Sequence, residues 1–303
     1  RAAGSGFRIF GVDQGTLTLN DLTLRDATLF TNGGAAVSNS GGIVTLNRVR
    51  MENNRVEGDT GFGRGTGGAL YTFFGRTTVT DSAFINNYAV KYGGGFYNWD
   101  GVITVTNTRF EGNQAGLYGG AAATRDERSG SGVTGDGNVY VGNSAVQGGG
   151  AIYVESGRFT ETGALIENNS GGSGGGILFS GASGDPLSGS SPNVQVSGSD
   201  MTGNSLPLIV STASNGGYNF DRNWWGTVNG PDPDDLVGSG ITAALPRPQT
   251  VADCPISVED SDGDCLPDSF ELTIPDLSPN NSDSDGNGVR DSDEDFDEDG
   301  LTQ

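Results

Sequence analysis

The sequence predicts an all-β chain, a right-handed parallel β-helix with three strands per coil, followed by a small, acidic, loop-rich C-terminal module. Three observations carry this. A Gly-Gly-small-apolar element recurs at Gly33, Gly67, Gly93, Gly119, Gly149 and Gly174, at intervals of 34, 26, 26, 30 and 25 residues. An apolar-x-x-Asn element keeps step with it, at Met51–Asn54, Phe84–Asn87, Phe110–Asn113, Tyr140–Asn143, Leu165–Asn168 and Met201–Asn204. Finally, charge is segregated: residues 1–230 carry 18 acidic and 14 basic side chains, net −4, whereas residues 231–303 carry 20 and 2, net −18, together the chain's −22.

A fixed period of about 26 residues is the mark of a solenoid, in which one repeat is one coil. Within each repeat, runs such as "GTLTLN", "GGIVTLN", "GRTTVTD" and "GVITVTN" alternate apolar and polar residues, the pattern of a half-buried strand. No helical period competes with it. Glycine supplies the positive-φ corners, and asparagine tolerates the same region while its amide stacks on amides above and below. Seven or eight coils at about 4.8 Å each give a rod on the order of 35 Å long. A coil cannot bury its apolar face alone, so stability is a nearest-neighbour sum and the ends need covering. At the start, "GFRIFGVDQGTLTLN" is irregular before the pattern locks in. At the far end Phe220, Trp224 and Trp225 stand just before Gly and Pro break the repeat, where they shield the last coil; a sugar site on the two tryptophans is the alternative. Two bulges, "TRDERSGSG" (124–132) and "SGASGDPLSGSSPN" (180–193), read as solvated loops.

The paired Gly-Gly-[Ala/Ile/Leu] and Phe-x-x-Asn motifs, over residues 29 to 204, resemble the repeats of polymorphic outer-membrane proteins and related bacterial β-helix surface proteins, and "NWWG" (223–226) is similar to the closing motif of many secreted β-helix proteins. The resemblance implies a cell-surface or secreted setting with roles in adhesion or display. The outer-membrane barrel usual in that family has no counterpart here.

The β-helix spans 1–230 and a Pro-, Gly- and Asp-rich linker with one short strand spans 231–253. Residues 254–303 hold the acid. Numbering Asp260 as position 1 puts Asp262 at 3, Asp264 at 5, the Leu266 carbonyl at 7, Asp268 at 9 and Glu271 at 12, the ligand spacing of a twelve-residue calcium loop. Asp283, Asp285, Asn287, the Val289 carbonyl, Asp291 and Glu294 repeat it, with Gly288 at the sharp sixth position; the first loop has Cys265 there instead. Asp295, Asp297 and Asp299 begin a third loop that stops short of position 12. Oxygen-only ligands at this spacing favour Ca²⁺, so two sites and a partial third are expected, and the segment should unfold without the ion. This stretch resembles thrombospondin type 3 repeats. Cys254 and Cys265, the only cysteines, read as one disulfide and imply an oxidising, extracellular compartment.

Composition also narrows function. The negative charge argues against nucleic acid and anionic lipid as partners. No apolar run reaches the roughly 20 residues of a spanning helix, no signal peptide is visible, and Arg1 reads as a mature or trimmed start. With no histidine in the chain, a Ser-His or Cys-His nucleophile is excluded. The best cluster for a polysaccharide lyase or hydrolase, the competing class, is Arg125, Asp126, Glu127 and Arg128 on one loop; acidic residues elsewhere in the repeats share no common frame. The expectation is a non-enzymatic extracellular structural or adhesive protein, stiffened by calcium, whose partners are glycans, proteins or further copies joined head to tail into a fibril.

Overall fold

The computed structural model describes residues 6–59, 65–128, 130–180, 192–212, 218–225 and 230–243, together with 261, 277–282 and 284. Among these residues every regular element is a strand, and all strand pairings between coils are parallel. The fold is a parallel β-solenoid of about eight turns. Each full coil gives one strand to a nine-stranded sheet A, two runs to a long, bent sheet B, and a two-residue strand to a six-stranded sheet C. Sheet A runs Phe10–Asp13, Val37–Ser40, Leu70–Phe73, Phe96–Trp99, Ala122–Arg125, Ile152–Ser156, Ile177–Phe179, Ile209–Ser211 and Leu236–Val237. Eight steps of about 4.8 Å make it about 40 Å along the axis.

The corners are ladders of left-handed residues in register. Sheet B bends at Asp21, Arg48, Asp81, Asn107, Gly137, Gly163, Gly198 and Arg222, all with φ near +50 to +63°. A second ladder, Asp26, Asn53, Asn86, Gly112, Gly142, Asn168 and Gly203, turns the chain towards sheet C. Immediately after it lies the asparagine stack. Asn54, Asn87, Asn113, Asn143, Asn169 and Asn204 each accept a backbone and a side-chain N–H from the asparagine before them, or in the case of Asn54 a backbone N–H from Ala27. Their Nδ2 groups also donate to a carbonyl of an earlier coil, so the buried turn leaves no amide unpaired.

Two frames in the sequence pattern shift by one. The stack runs through Asn169, not Asn168: Ile166, not Leu165, pairs with Tyr140, while Asn168 occupies the left-handed corner. Likewise Gly34, not Gly33, aligns with Gly67, so Ala35 fills the second-glycine position of that coil. In both cases two identical neighbours compete for one place, and only pairing between coils selects.

Inside, the rungs stack like on like. Val37, Leu70, Phe96, Ala122, Ile152, Ile177 and Ile209 form one column. Phe84, Phe110 and Tyr140 form another, with ring centroids 4.8 and 5.0 Å apart. Phe220 and Trp225 lie inside this same core. Trp224, paired to Asp200, is half-buried, so no exposed tryptophan pair is formed. They do not end the stack either. Leu236–Val237 and Ile241–Thr242, within the stretch expected to be a linker, pair with Ile209–Ser211 and Tyr218–Asn219 and add rungs to sheets A and B.

Candidate functional site

Alternation in sheet A sends Leu70, Phe96 and Ile152 inward and their successors Tyr71, Tyr97 and Tyr153 outward. The outward set is apolar too. With Ala123, Leu178 and Val210 it forms a second hydrophobic cluster outside the solenoid wall, flanked by Phe73, Trp99, Tyr92 and Tyr118. Tyr71, Tyr97 and Tyr153 are 1, 4 and 7 % exposed, although they stand on the outer face. Tyr92 and Tyr118 come from the turn before the strand, are bridged one coil apart, and are half-exposed.

The rings form a continuous band. Tyr71 stacks on Tyr97 at 6.0 Å, Tyr97 on Tyr92 at 6.0 Å, and Tyr118 on both Tyr92 (6.0 Å) and Tyr153 (4.6 Å). Towards sheet B, Phe73 meets Trp99 edge-on at 5.4 Å and Phe74 at 4.0 Å. Tyr92, Tyr118, Gln147, Tyr153, Glu155 and Ser180 line a groove of about 500 Å³ at one end of the band. There the Tyr153 hydroxyl and Ser180 Oγ are 2.8 Å apart.

Arg125 organises the charges beside it. Its guanidinium pairs with Glu127 at 2.7 Å and Glu155 at 3.7 Å and lies 5.6 Å from the Trp99 ring centre. Burial, and after it the Glu155 carboxylate, raises the hydroxyls of Tyr92, Tyr97 and Tyr153 above the ordinary phenol value. They therefore remain neutral O–H groups, able both to donate and to accept.

The loop that looked best for catalysis is split three ways. Arg125 and Glu127 serve the aromatic band. Asp126 turns into the wall and is 1 % exposed; Asn98 Nδ2 donates to its Oδ1 at 2.9 Å and Thr124 Oγ1 donates to its Oδ2. Burial, with Asp100 nearby, pushes the Asp126 carboxyl up to about 7. Arg128 leaves for the corner between sheets A and B, over Phe74. The four side chains do not converge. A second buried carboxyl, Glu161, lies in the core, held by Asn138 Nδ2 and the Tyr140 hydroxyl.

The sequence carried a signal for this face. In "LYTF", "FYNW" and "IYVE" an aromatic follows the inward strand residue in the same frame, which alternation assigns to the outside. The expected calcium ligands, Asp260, Asp262, Asp264, Leu266, Asp268, Glu271, Asp283, Asp285, Asn287, Val289, Asp291, Glu294, Asp295, Asp297 and Asp299, lie outside the described residues, as do Cys254 and Cys265. Among the described residues no helix is long and apolar enough to cross a membrane. No protein-family model, curated protein or solved structure matches the chain.

Proposed function

We propose that this is an extracellular, non-catalytic binding rod that holds saccharide along the aromatic band of sheet A, with a calcium-stiffened acidic segment after the solenoid. The observation that carries it is the groove at Tyr92, Tyr118 and Tyr153. Flat apolar rings beside neutral hydroxyls, an amide (Gln147) and a carboxylate (Glu155) offer what a sugar ring presents in return, a C–H face and a rim of hydroxyls. An outward aromatic column repeated over several coils also suits a polymer better than a small molecule.

Catalysis is less well supported by the arrangement. Glu127 and Glu155 face the same guanidinium, which suits holding a shape rather than passing protons between two carboxyls at a cleavable bond. Burial keeps Tyr92, Tyr97 and Tyr153 protonated, so none of them is poised to take up a proton near neutral pH. The calcium segment rests on the ligand spacing of the two complete loops.

The test is affinity electrophoresis or calorimetry of the full chain, with calcium, against a panel of neutral and acidic polysaccharides. Retardation by at least one polymer, lost in Tyr118→Ala with unfolding temperature unchanged, is expected. No retardation by any of them, or chain cleavage of a polymer, overturns the proposal.

A further inference from the structure

Of the described basic side chains, all but two have a hydrogen-bond or ion-pair partner. Arg25, Arg48, Arg50, Arg55, Lys91, Arg109 and Arg125 pair with carboxylates, Arg8 and Arg222 donate to carbonyls, and Arg158 donates to Thr134. The two remaining, Arg76 and Arg128, line the same cavity of about 600 Å³ at the corner of sheets A and B. In a chain of net charge −22, two neighbouring guanidinium groups without a carboxylate partner stand out from the rest.

The pocket is built rather than incidental. Asp100 Oδ1 accepts the backbone N–H groups of Glu127 and Arg128, at 2.5 and 3.1 Å, and so anchors the loop. The Arg128 guanidinium lies 4.5 Å from the Phe74 ring centre, a cation–π contact that orients the fork without using its N–H donors. Phe74 and Ile43, both in the lining, are 41 and 52 % exposed. Glycines 41, 42 and 75 complete the lining. Through Phe73 the corner is continuous with the aromatic band.

We propose that this corner, formed by Ile43, Phe74, Arg76, Asp100 and Arg128, binds a carboxylate-bearing sugar unit of an acidic polysaccharide. The guanidinium forks match a carboxylate, the apolar pair covers a ring face that inorganic phosphate does not have, and the Asp100 carboxylate in the lining can accept from a sugar hydroxyl. The inference rests on the saccharide reading of the band and adds the chemical class of the sugar.

The experiment is calorimetry of the calcium-loaded full chain with a galacturonic acid trimer, the matching galactose trimer, and inorganic phosphate, for wild type, Arg76→Ala/Arg128→Ala and Arg128→Lys. Both side chains are solvent-exposed, and thermal unfolding verifies that the variants fold. The double variant should bind the uronate trimer about tenfold or more weakly, the loss of roughly one charge-assisted bond, while its affinity for the neutral trimer is unchanged. Arg128→Lys, which keeps the charge but not the fork, should fall between. Uronate affinity equal to wild type in the double variant overturns the inference, as does phosphate binding as tightly as the trimer. If wild type binds the neutral trimer and not the uronate, the corner falls and the band stands; if it binds neither, both fall.

Discussion

Inside the coil stack the Tyr140 hydroxyl donates to Glu161 Oε2 at 2.8 Å, and Asn138 Nδ2 donates to Oε1 at 2.9 Å. The carboxyl occupies a rung of the column Leu46, Val79, Val105, Gly135, Glu161, Val196. It fits because Gly135, its neighbour on the adjacent strand, has no Cβ; one built there would overlap the carboxylate. Burial pushes Glu161 up to about 8, so at neutral pH the folded protein retains a proton that the unfolded chain has released.

This sets a pH dependence. Between about 4.5, the unfolded value, and 8 the native state binds more protons than the unfolded state, so this group makes stability fall as pH rises, by at most about 1.4 kcal/mol per pH unit. Below that window the penalty is absent; above it the penalty is constant. Urea unfolding from pH 5 to 8 should show the decline in wild type and a shallower one in Glu161→Gln. Parallel curves would mean that Glu161 is ionised in the native state.

The asparagine stack predicts a gradient. Asn113 is fully buried and its side chain makes four bonds, accepting from the Asn87 N–H and Nδ2 and donating to the Phe84 carbonyl and Asn143 Oδ1. Asn113→Ala leaves those partners unpaired and should cost about 3 kcal/mol or more. Asn204 is only half-buried, so water replaces part of what Asn204→Ala removes, and its denaturation midpoint should fall by less.

A glycine at a close approach between coils and one at a left-handed corner should differ sharply. A Cβ on Gly120 would overlap the Gly150 carbonyl and the Ser144 backbone of the next coil, so Gly120→Ala should cost about 3 kcal/mol or more or prevent folding. Gly142, at φ +62°, has nothing within 4 Å of its missing Cβ, and asparagine fills the equivalent corner at positions 53, 86 and 168. Gly142→Asn should therefore shift stability by less than about 0.5 kcal/mol. Thermal unfolding of the two variants side by side decides the matter.

For the acidic segment, carboxylates at calcium-loop spacing predict order that depends on the ion. Chelation should expose bonds between residues 255 and 300 to limited proteolysis while the solenoid resists, and added Ca²⁺ should restore protection. Cleavage indifferent to calcium would remove the metal from the proposal. Electron microscopy of the same two samples tests the fibril: filaments with calcium that disperse on chelation are the result a head-to-tail assembly requires.

The repeat length, the three-sheet coil and the existence of an asparagine stack were all legible from Gly-Gly and Asn periodicity, because each coil must satisfy the same turn geometry with nearly the same residues. Adjacent duplicates were not. Asn168 and Asn169 are chemically identical, and neither their type nor their flanks say which one faces the core; the Tyr140–Ile166 pairing does. Nor could the loop 125–128 be resolved from its charges, since four consecutive residues at a corner point in directions set by the coils on either side.

The amino-acid order alone determined the period, the strand alternation and the segregation of charge, since these depend on local conformation and on which face of a strand is buried. Tertiary structure decided which residues meet across coils. Tyr97, Tyr118 and Tyr153 come from different coils and become one band only through stacking, and Arg76 shares a corner with Arg128 only because the coils place them there. Contacts of that kind are set by register between coils, a quantity no single strand contains.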